Sequence, residues 1–235
     1  MAILPAMALG NALPASEAAR LLGLSLQRVR ALVAGGELPG QKLAGRWFVE
    51  RSAVERRLRE PKLAGRPYSP RQAWGLIALA EGDSPTWLDA PNRSRLRRQL
   101  RENRLEDIVP SLARRARRLE LRAHPSDVPR IEKEPGLIRS GVSAASEHRL
   151  EIVAPGVLEA YVPAKRLAQL ERRYHLEPSA DPNVILHVID APWPFERDQR
   201  VAPRLAAIVD LLDDNDERSR RAAQRALQAY KPALR

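Results

Sequence analysis

Two short apolar-periodic segments, Glu17 to Leu22 and Leu26 to Val33, are separated by only three residues, Gly23-Leu24-Ser25. This spacing narrows the fold more than any other feature of the chain. A three-residue connection containing glycine joins two short helices at a steep angle, whereas an antiparallel hairpin needs longer helices to bury enough surface. Ser16 is expected to cap the first helix, Glu17 suits its positive end, and Gly23 closes it. Ser25 is expected to cap the second, in which Leu26, Val29, Leu32 and Val33 form the apolar stripe and Gln27, Arg28 and Arg30 fall outside it. Gly35-Gly36 ends that helix.

The period then shortens. "QKL" and "WFV" flank Ala44-Gly45-Arg46, where Gly45 permits the positive φ of a tight hairpin, so a β-wing is predicted. Ser52 is expected to start a third helix, with Ala53, Val54 and Leu58 inside and Arg51, Arg56, Arg57 and Arg59 outside. The first helix thus supports the second, which becomes the probe of a winged helix-turn-helix. Gln27, Arg28 and Arg30 lie in the N-terminal half of that probe, the part that reaches base edges in a major groove. Arginine bonds guanine bidentately and glutamine bonds adenine, while Ser25, beside free backbone N–H groups, suits a phosphate. The plainer alternative makes Arg28 and Arg30 ordinary solvated helix residues.

The run "GLSLQRVRALVAGGELPGQKLAGRWFVERSAVERRL" resembles the helix-turn-helix domains of excisionase and MerR type, in its Gly23 and Ser25 turn, its "GELPG" exit, its Gly45-Arg46-Trp47 hairpin and its final helix. The resemblance implies that Lys42 and Arg46 lie on the wing and meet phosphates or the minor groove. Trp47 is expected in the core rather than stacked on a base.

Charge agrees with a polyanion partner. Residues 1 to 123 hold 23 Lys+Arg against 12 Asp+Glu, an excess of 11, while residues 124 to 235 hold 17 of each. Neutralising phosphates releases condensed counterions and supplies sequence-independent affinity. Arginine-rich composition from GC-rich codons is the alternative source, but it does not explain a neutral second half. With no cysteine the chain excludes disulfides and thiolate metal sites, which suits a reducing cytoplasm. "MAILPAMALGNALPA" has no basic start and is broken by Pro5, so it makes a poor signal peptide, and Met7 is an alternative start. The longest apolar run, Ala73 to Ala80, is too short to span a bilayer.

The expected fold class is α+β: a winged helix-turn-helix at 1–60, a linker at 61–68, a basic helical segment at 69–123 and a mixed α+β domain at 124–235. Ser69, Pro70 and Gly82 bound an apolar helix; Asn92 to Asn103 and Leu105 to Leu121 follow as further helices. Strands are predicted at Leu119 to Ala123, Leu158 to Val162 and Val184 to Ile189, and helices at Ala164 to Tyr174, Val201 to Leu212 and Glu217 to Ala229. The arginines of Arg93 to Arg104 and Arg114 to Arg118 form either a phosphate-contacting surface or a solvated face. Leu205, Ile208, Val209 and Leu212, facing Ala222, Ala226 and Leu227, are expected to be core. Asp213-Asp214-Asn215-Asp216 lacks calcium-loop spacing and reads as a solvated turn with Asp216 as a helix cap.

"GRPYSPRQAWGLIALAEG", "LEAYVPAKRLAQLERRYHLEPSADPNVILHVIDAPWPF" and "VAPRLAAIVDLLDDNDERSRRAAQRAL" resemble abortive-infection antitoxins of the AbiEi class, diffusely over residues 65 to 230. That resemblance implies a DNA-binding autorepressor accompanying a nucleotidyltransferase-like toxin. No enzymatic activity, cofactor or metal is expected. His124, His148, His175 and His187 fit no metal spacing, and there is no phosphate-binding loop, G-x-G-x-x-G or G-x-S-x-G elbow. Glu60-Pro61-Lys62 is the only nuclease-like E-x-K, and Ser146 and His148 are neighbours in sequence only. The expected function is a cytoplasmic, sequence-specific regulator of double-stranded DNA. The alternatives are an excisionase-like DNA-bending protein and a DNA-binding protein with a degenerate nuclease-like C-terminal domain. One reading helix alone binds weakly, so a homodimer or paired sites are expected, with no membrane involvement.

Overall fold

The computed structural model describes residues 12–35, 38–59, 67–190 and 192–234, arranged in two compact units, Met1–Lys62 and Leu63–Arg235. The N-terminal stretch of residues 1–11, Gly36 and Glu37 of the expected exit from the second helix, the segment 60–66 and with it Glu60-Pro61-Lys62, Ala191 and Arg235 lie outside the described residues.

The first unit runs β1 (Ala12–Pro14), α1 (Ala15–Leu22), α2 (Leu26–Ala34), β2 (Gly40–Leu43), β3 (Arg46–Glu50) and α3 (Arg51–Arg59). Its antiparallel sheet has the order β1-β3-β2, with Leu13 opposite Val49 and Lys42 opposite Trp47. β1 was not anticipated from the sequence, and it displaces the expected cap. Leu13 is buried against the sheet, Pro14 stands at the N-cap with φ −55°, and the helix begins at Ala15, so Ser16 is exposed inside its first turn and caps nothing. Proline's fixed φ already suits the entry to a helix, which leaves no role there for a serine. α3 likewise starts at Arg51, directly after β3, and Ser52 lies within it.

Small residues set the packing of this unit. Ala15, Ala18 and Ala19 form the buried face of α1, meeting Val29, Leu32 and Val33 of α2 and Val49, Ala53 and Val54 beyond them. The β2–β3 hairpin turns on Ala44 (φ 46°) and Gly45 (φ 80°), both left-handed as the tight two-residue turn of a right-twisted hairpin demands.

The second unit runs α4 (Pro70–Ala80), α5 (Ala90–Glu102), α6 (Leu105–Ile108), β4 (Arg117–Arg122), α7 (Val128–Glu132), β5 (Ile138–Arg139), β6 (Leu158–Pro163), α8 (Ala164–Tyr174), β7 (Glu177–Pro178), β8 (Val184–Ile189), α9 (Arg204–Leu212) and α10 (Glu217–Ala229). Its sheet has the order β5-β6-β8-β4-β7, in which β6 and β8 are parallel, linked through α8 as parallel neighbours require, and the other pairs are antiparallel. Alternation along the strands sorts the two faces. Leu158, Ala160 and Val162 with Val184, Leu186 and Val188 pack against Ile131, Leu170 and Tyr174 of α7 and α8. Tyr161 and Ile189 turn to the other face and join Trp74, Leu96, Leu112, Leu205 and Ile208.

Two sequence expectations change here. The helix expected over Leu105 to Leu121 stops at Ile108, passes into a 3-10 turn at Val109–Leu112, and becomes strand β4. Pro110, which lacks a donor, sits in that turn and prevents a continuous helix. The cut at His124 is not a packing boundary: β4 pairs with β8, and residues from α4 and α5 share a core with α9 and α10. Split at Lys62 instead, the formal charges are 10 Lys+Arg against 5 Asp+Glu in the first unit and 30 against 24 in the second, +5 and +6.

Candidate nucleic-acid interface

The turn between α1 and α2 is built from two local devices. Gly23 adopts φ 65° and the Leu24 N–H reaches back to the Ala19 carbonyl (3.0 Å), closing α1. Ser25 is extended and its Oγ accepts the Arg28 N–H at 3.2 Å, opening α2 as its sequence position predicts. That oxygen therefore serves the helix, leaving the hydroxyl proton as the group Ser25 offers outward.

Val29 and Leu32 of α2 are fully buried, while Ser25, Gln27, Arg28 and Arg30 are exposed. With about 100° of rotation per residue, Gln27 and Ala31 lie at the middle of the outward face, with Arg28 and Arg30 on opposite sides of it, roughly 160° apart. Ala31 and Ala34 are exposed too, so the centre of the face is low and Gln27 stands above its neighbours on the helix. On the hairpin, Lys42 and Arg46 are exposed. The Lys42 ammonium lies 5.9 Å from the centre of the half-buried Trp47 ring, whose body packs on the core of the unit. Arg28, Arg30, Lys42 and Arg46 have no ion-pair partner among the described residues. A cation left unmatched on a surface is free to meet a phosphate or a base.

Sequence reasoning passed over Arg20, in the last turn of α1, which is exposed and also complements the negative end of its helix. Arg51, read as an outer residue of α3, is exposed as well.

The arginine runs of the second unit are not one surface. Arg115 is buried, Arg118 pairs with Glu120 and lies 3.7 Å from Asp214, Arg98 pairs with Glu102 at 3.9 Å, and Arg104 with Glu106 at 3.5 Å. Arg101, Arg114 and Arg117 remain exposed.

Arg115 belongs to a polar network missed at the sequence level, on the sheet face that α9 covers. Its guanidinium bonds Asp210, the Tyr161 hydroxyl (3.1 Å) and Asp213 (2.7 Å), and its carbonyl accepts the Trp74 indole N–H (2.9 Å). Tyr161 and Ser140 donate to Asp210, and His187 Nε2 sits 2.8 Å from Glu159 and 3.8 Å from Asp210. Glu159 also accepts the Val142 N–H (3.0 Å), and a Cβ at Gly141 would collide with its carboxylate. Burial would raise the Asp210 pKa, but the charges of His187 and Arg115 and the Ser140 bond outweigh it and hold the carboxyl below its ordinary value. Burial and Asp210 together push the Tyr161 hydroxyl well up. Asp210 and Glu159 are completely enclosed, so these carboxylates reach each other's partners and no solvent-borne substrate. The acidic turn is tied into this network by Asp213 and to Arg118 by Asp214, while Asp216 caps α10 through the Ser219 N–H (3.1 Å).

The remaining histidines are scattered. His148 Nε2 bonds the Ala202 carbonyl (2.8 Å), His124 bonds Ser126 (2.7 Å), and His175 takes φ 48° at the end of α8. Ser146 bonds Glu147 (2.8 Å) rather than His148. Among the described residues no group of His, Asp and Glu is placed to hold a metal, and no helix is long and apolar enough to cross a membrane.

Residues 13–61 match the sequence pattern of a family described as a helix-turn-helix domain. No curated protein and no solved structure matches the chain. The first unit is thus a helix-turn-helix domain of the kind found in DNA-binding regulators.

Proposed function

We propose that the protein is a sequence-specific regulator of double-stranded DNA that acts without catalysis in the cytoplasm, as an antitoxin-like repressor of its own operon, paired with a nucleotidyltransferase-like toxin and binding as a homodimer. The observation that carries the DNA-reading part is the outward face of α2, where Ser25, Gln27, Arg28 and Arg30 stand in solvent, together with the exposed Lys42 and Arg46 of the hairpin, which have no ion-pair partner among the described residues. In this reading Gln27 and Arg28, at the N-terminal turn, contact base edges, and Arg30, on the opposite flank, meets a backbone phosphate. Ser25 contacts a phosphate, and Lys42 and Arg46, by the resemblance of the wing, meet phosphates or the minor groove. The antitoxin role rests on the sequence resemblance of residues 65 to 230.

The test is selection of a binding site from random duplexes, followed by titration of that site and of scrambled DNA across a salt series. Discrimination of at least 10³-fold between the two is expected of a specific regulator, roughly the lower bound for such proteins. Equal binding of selected and scrambled duplexes would remove the regulator reading, and divalent-metal-dependent nicking would replace the non-catalytic one. For the toxin pairing, the adjacent reading frame is decisive: it should encode a nucleotidyltransferase-like protein whose growth arrest this chain relieves.

A further inference from the structure

The second unit carries an open cleft of about 620 Å³ lined by Pro67, Tyr68, Ser69, Pro70, Gln72, Arg95, Gln99 and Arg114. The volume is that of a small-molecule site, typically ~300–1,000 Å³. Among the described residues no carboxylate lines it, whereas Arg98, Arg104 and Arg118 on the same basic runs are each matched by an acid. Among the described residues Arg114 has no partner, and Arg95 bonds only the neutral amide oxygen of Asn92 (3.1 Å). Two guanidiniums therefore share one concave, uncompensated surface, a field that attracts an anion.

The rest of the lining is rich in donors. Gln72 Oε1 is occupied by the Ser69 N–H (3.2 Å) and hydroxyl (3.0 Å), and Gln99 Oε1 by the Asn103 amide (3.1 Å), which leaves the two NH₂ groups uncommitted. Burial raises the pKa of the Tyr68 hydroxyl more than Arg95 lowers it, so the group is a donor at neutral pH as an ordinary tyrosine is. The cleft is also held in shape. The Tyr68 N–H bonds the Ser111 carbonyl (3.0 Å), Ser111 Oγ bonds the Ile108 carbonyl (2.6 Å), and Arg95 and Gln99 are successive-turn neighbours on α5.

We propose that this cleft binds the phosphate of a nucleotide, either free or within a nucleic-acid strand, with Arg95 and Arg114 as the forked donors to its oxygens and the Tyr68 ring beside the base. The lining residues all belong to the second unit, so the site would add a second nucleic-acid or nucleotide contact to that of the helix-turn-helix.

Titration calorimetry of the full-length protein carrying Arg28→Ala and Arg46→Ala, so that the reading face is disabled, tests this with three probes at fixed ionic strength: pyrophosphate, 5′-AMP and a short oligothymidylate. Saturable one-to-one binding is expected for at least one probe. Arg95→Gln and Arg114→Gln should each weaken it by about tenfold, the loss expected of one charge-assisted hydrogen-bonding group. Arg101→Gln, which removes the same charge from α5 outside the cleft, should change it less than about twofold, as a surface charge far from a site does. Binding of AMP or pyrophosphate identifies a free nucleotide as the source, and binding of the oligonucleotide alone identifies a strand. No saturation with any probe, or an equal loss in Arg101→Gln, overturns the proposal and leaves the reading of DNA by α2 untouched.

Discussion

In Met1–Lys62, Arg28, Arg30, Lys42 and Arg46 stand in solvent with no ion-pair partner among the described residues, whereas in Leu63–Arg235 Arg115 is 3% exposed and enclosed by Asp210, Asp213 and Tyr161. Among the described residues every buried charged or polar side chain, from Arg115 to Ser219, belongs to the second unit. The contrast separates two uses of the same residue type. An exposed, unpaired arginine adds little to stability and keeps its donors for a ligand; an enclosed one depends on its partners, because a stranded buried charge is strongly destabilising.

The largest effect should come from breaking the enclosed arrangement. Arg115→Met leaves Asp210 without its main donor and is expected to lower unfolding stability by about 3–5 kcal/mol in urea melts of the full chain; a loss below about 1 kcal/mol would mean that the network is not the keystone of its unit. Acid should act on the same feature. Asp210 and Glu134 both have carboxyls held below their ordinary values, Glu134 against burial by the Tyr174 and Arg166 bonds and the Arg173 charge. Their contributions are complete above about pH 4, the unfolded range of a carboxylate, and vanish as pH falls through the lower folded values. A melt series from neutral pH to below 3 should therefore show stability falling only at its acid end.

On the exposed side, Gln27→Ala and Arg28→Ala should each lose about 1–3 kcal/mol of discrimination at one base pair while the melting temperature stays unchanged. Arg46→Ala should weaken binding to all duplexes alike and flatten the slope of log affinity against log salt by about one. If Arg30→Ala relaxes specificity more than Gln27→Ala does, the central position assigned to Gln27 on the helix face is mistaken. Smallest of all, Ala44→Gly should stabilise the hairpin by about 0.5–1 kcal/mol, because Ala44 holds a left-handed φ that disfavours a Cβ. Differential scanning fluorimetry resolves such a gain, and a loss instead would show that the alanine methyl packs usefully.

The same contrast decides how much of the molecule its sequence discloses. α2, the wing and the boundaries of β6, α8, β8 and α10 follow from short-range signals: Ser25 and Asp216 as caps, Gly23 and Gly45 as turn residues, and apolar periods of 3.6 or 2. The exposed residues of the candidate interface were legible for the same reason, since exposure on a helix is a matter of phase. The network was not. It joins Arg115 to Asp210 and Glu159 to His187 across 95 and 28 positions, separations at which no local pattern acts. Its one trace was a charged or titratable residue inside an otherwise apolar run, Glu159 in "LEAYV", His187 in "VILHVI" and Asp210 in "AAIVDLL". Similarly, Leu13-Pro14 reads locally as a helix entry, and only the distant Val49 makes it a strand.

The distance between Arg115 and Asp210 also bears on synthesis. The apolar core of the first unit is complete once Val54 has left the ribosome, but Arg115 must wait for a further 95 residues before its carboxylate emerges. At ~5–20 residues per second the interval is roughly 5–20 s. During that time the nascent chain displays a guanidinium and a tyrosine with nowhere to settle, so messages cut short before α9 should yield products that proteases clear, while the reading helix is already formed.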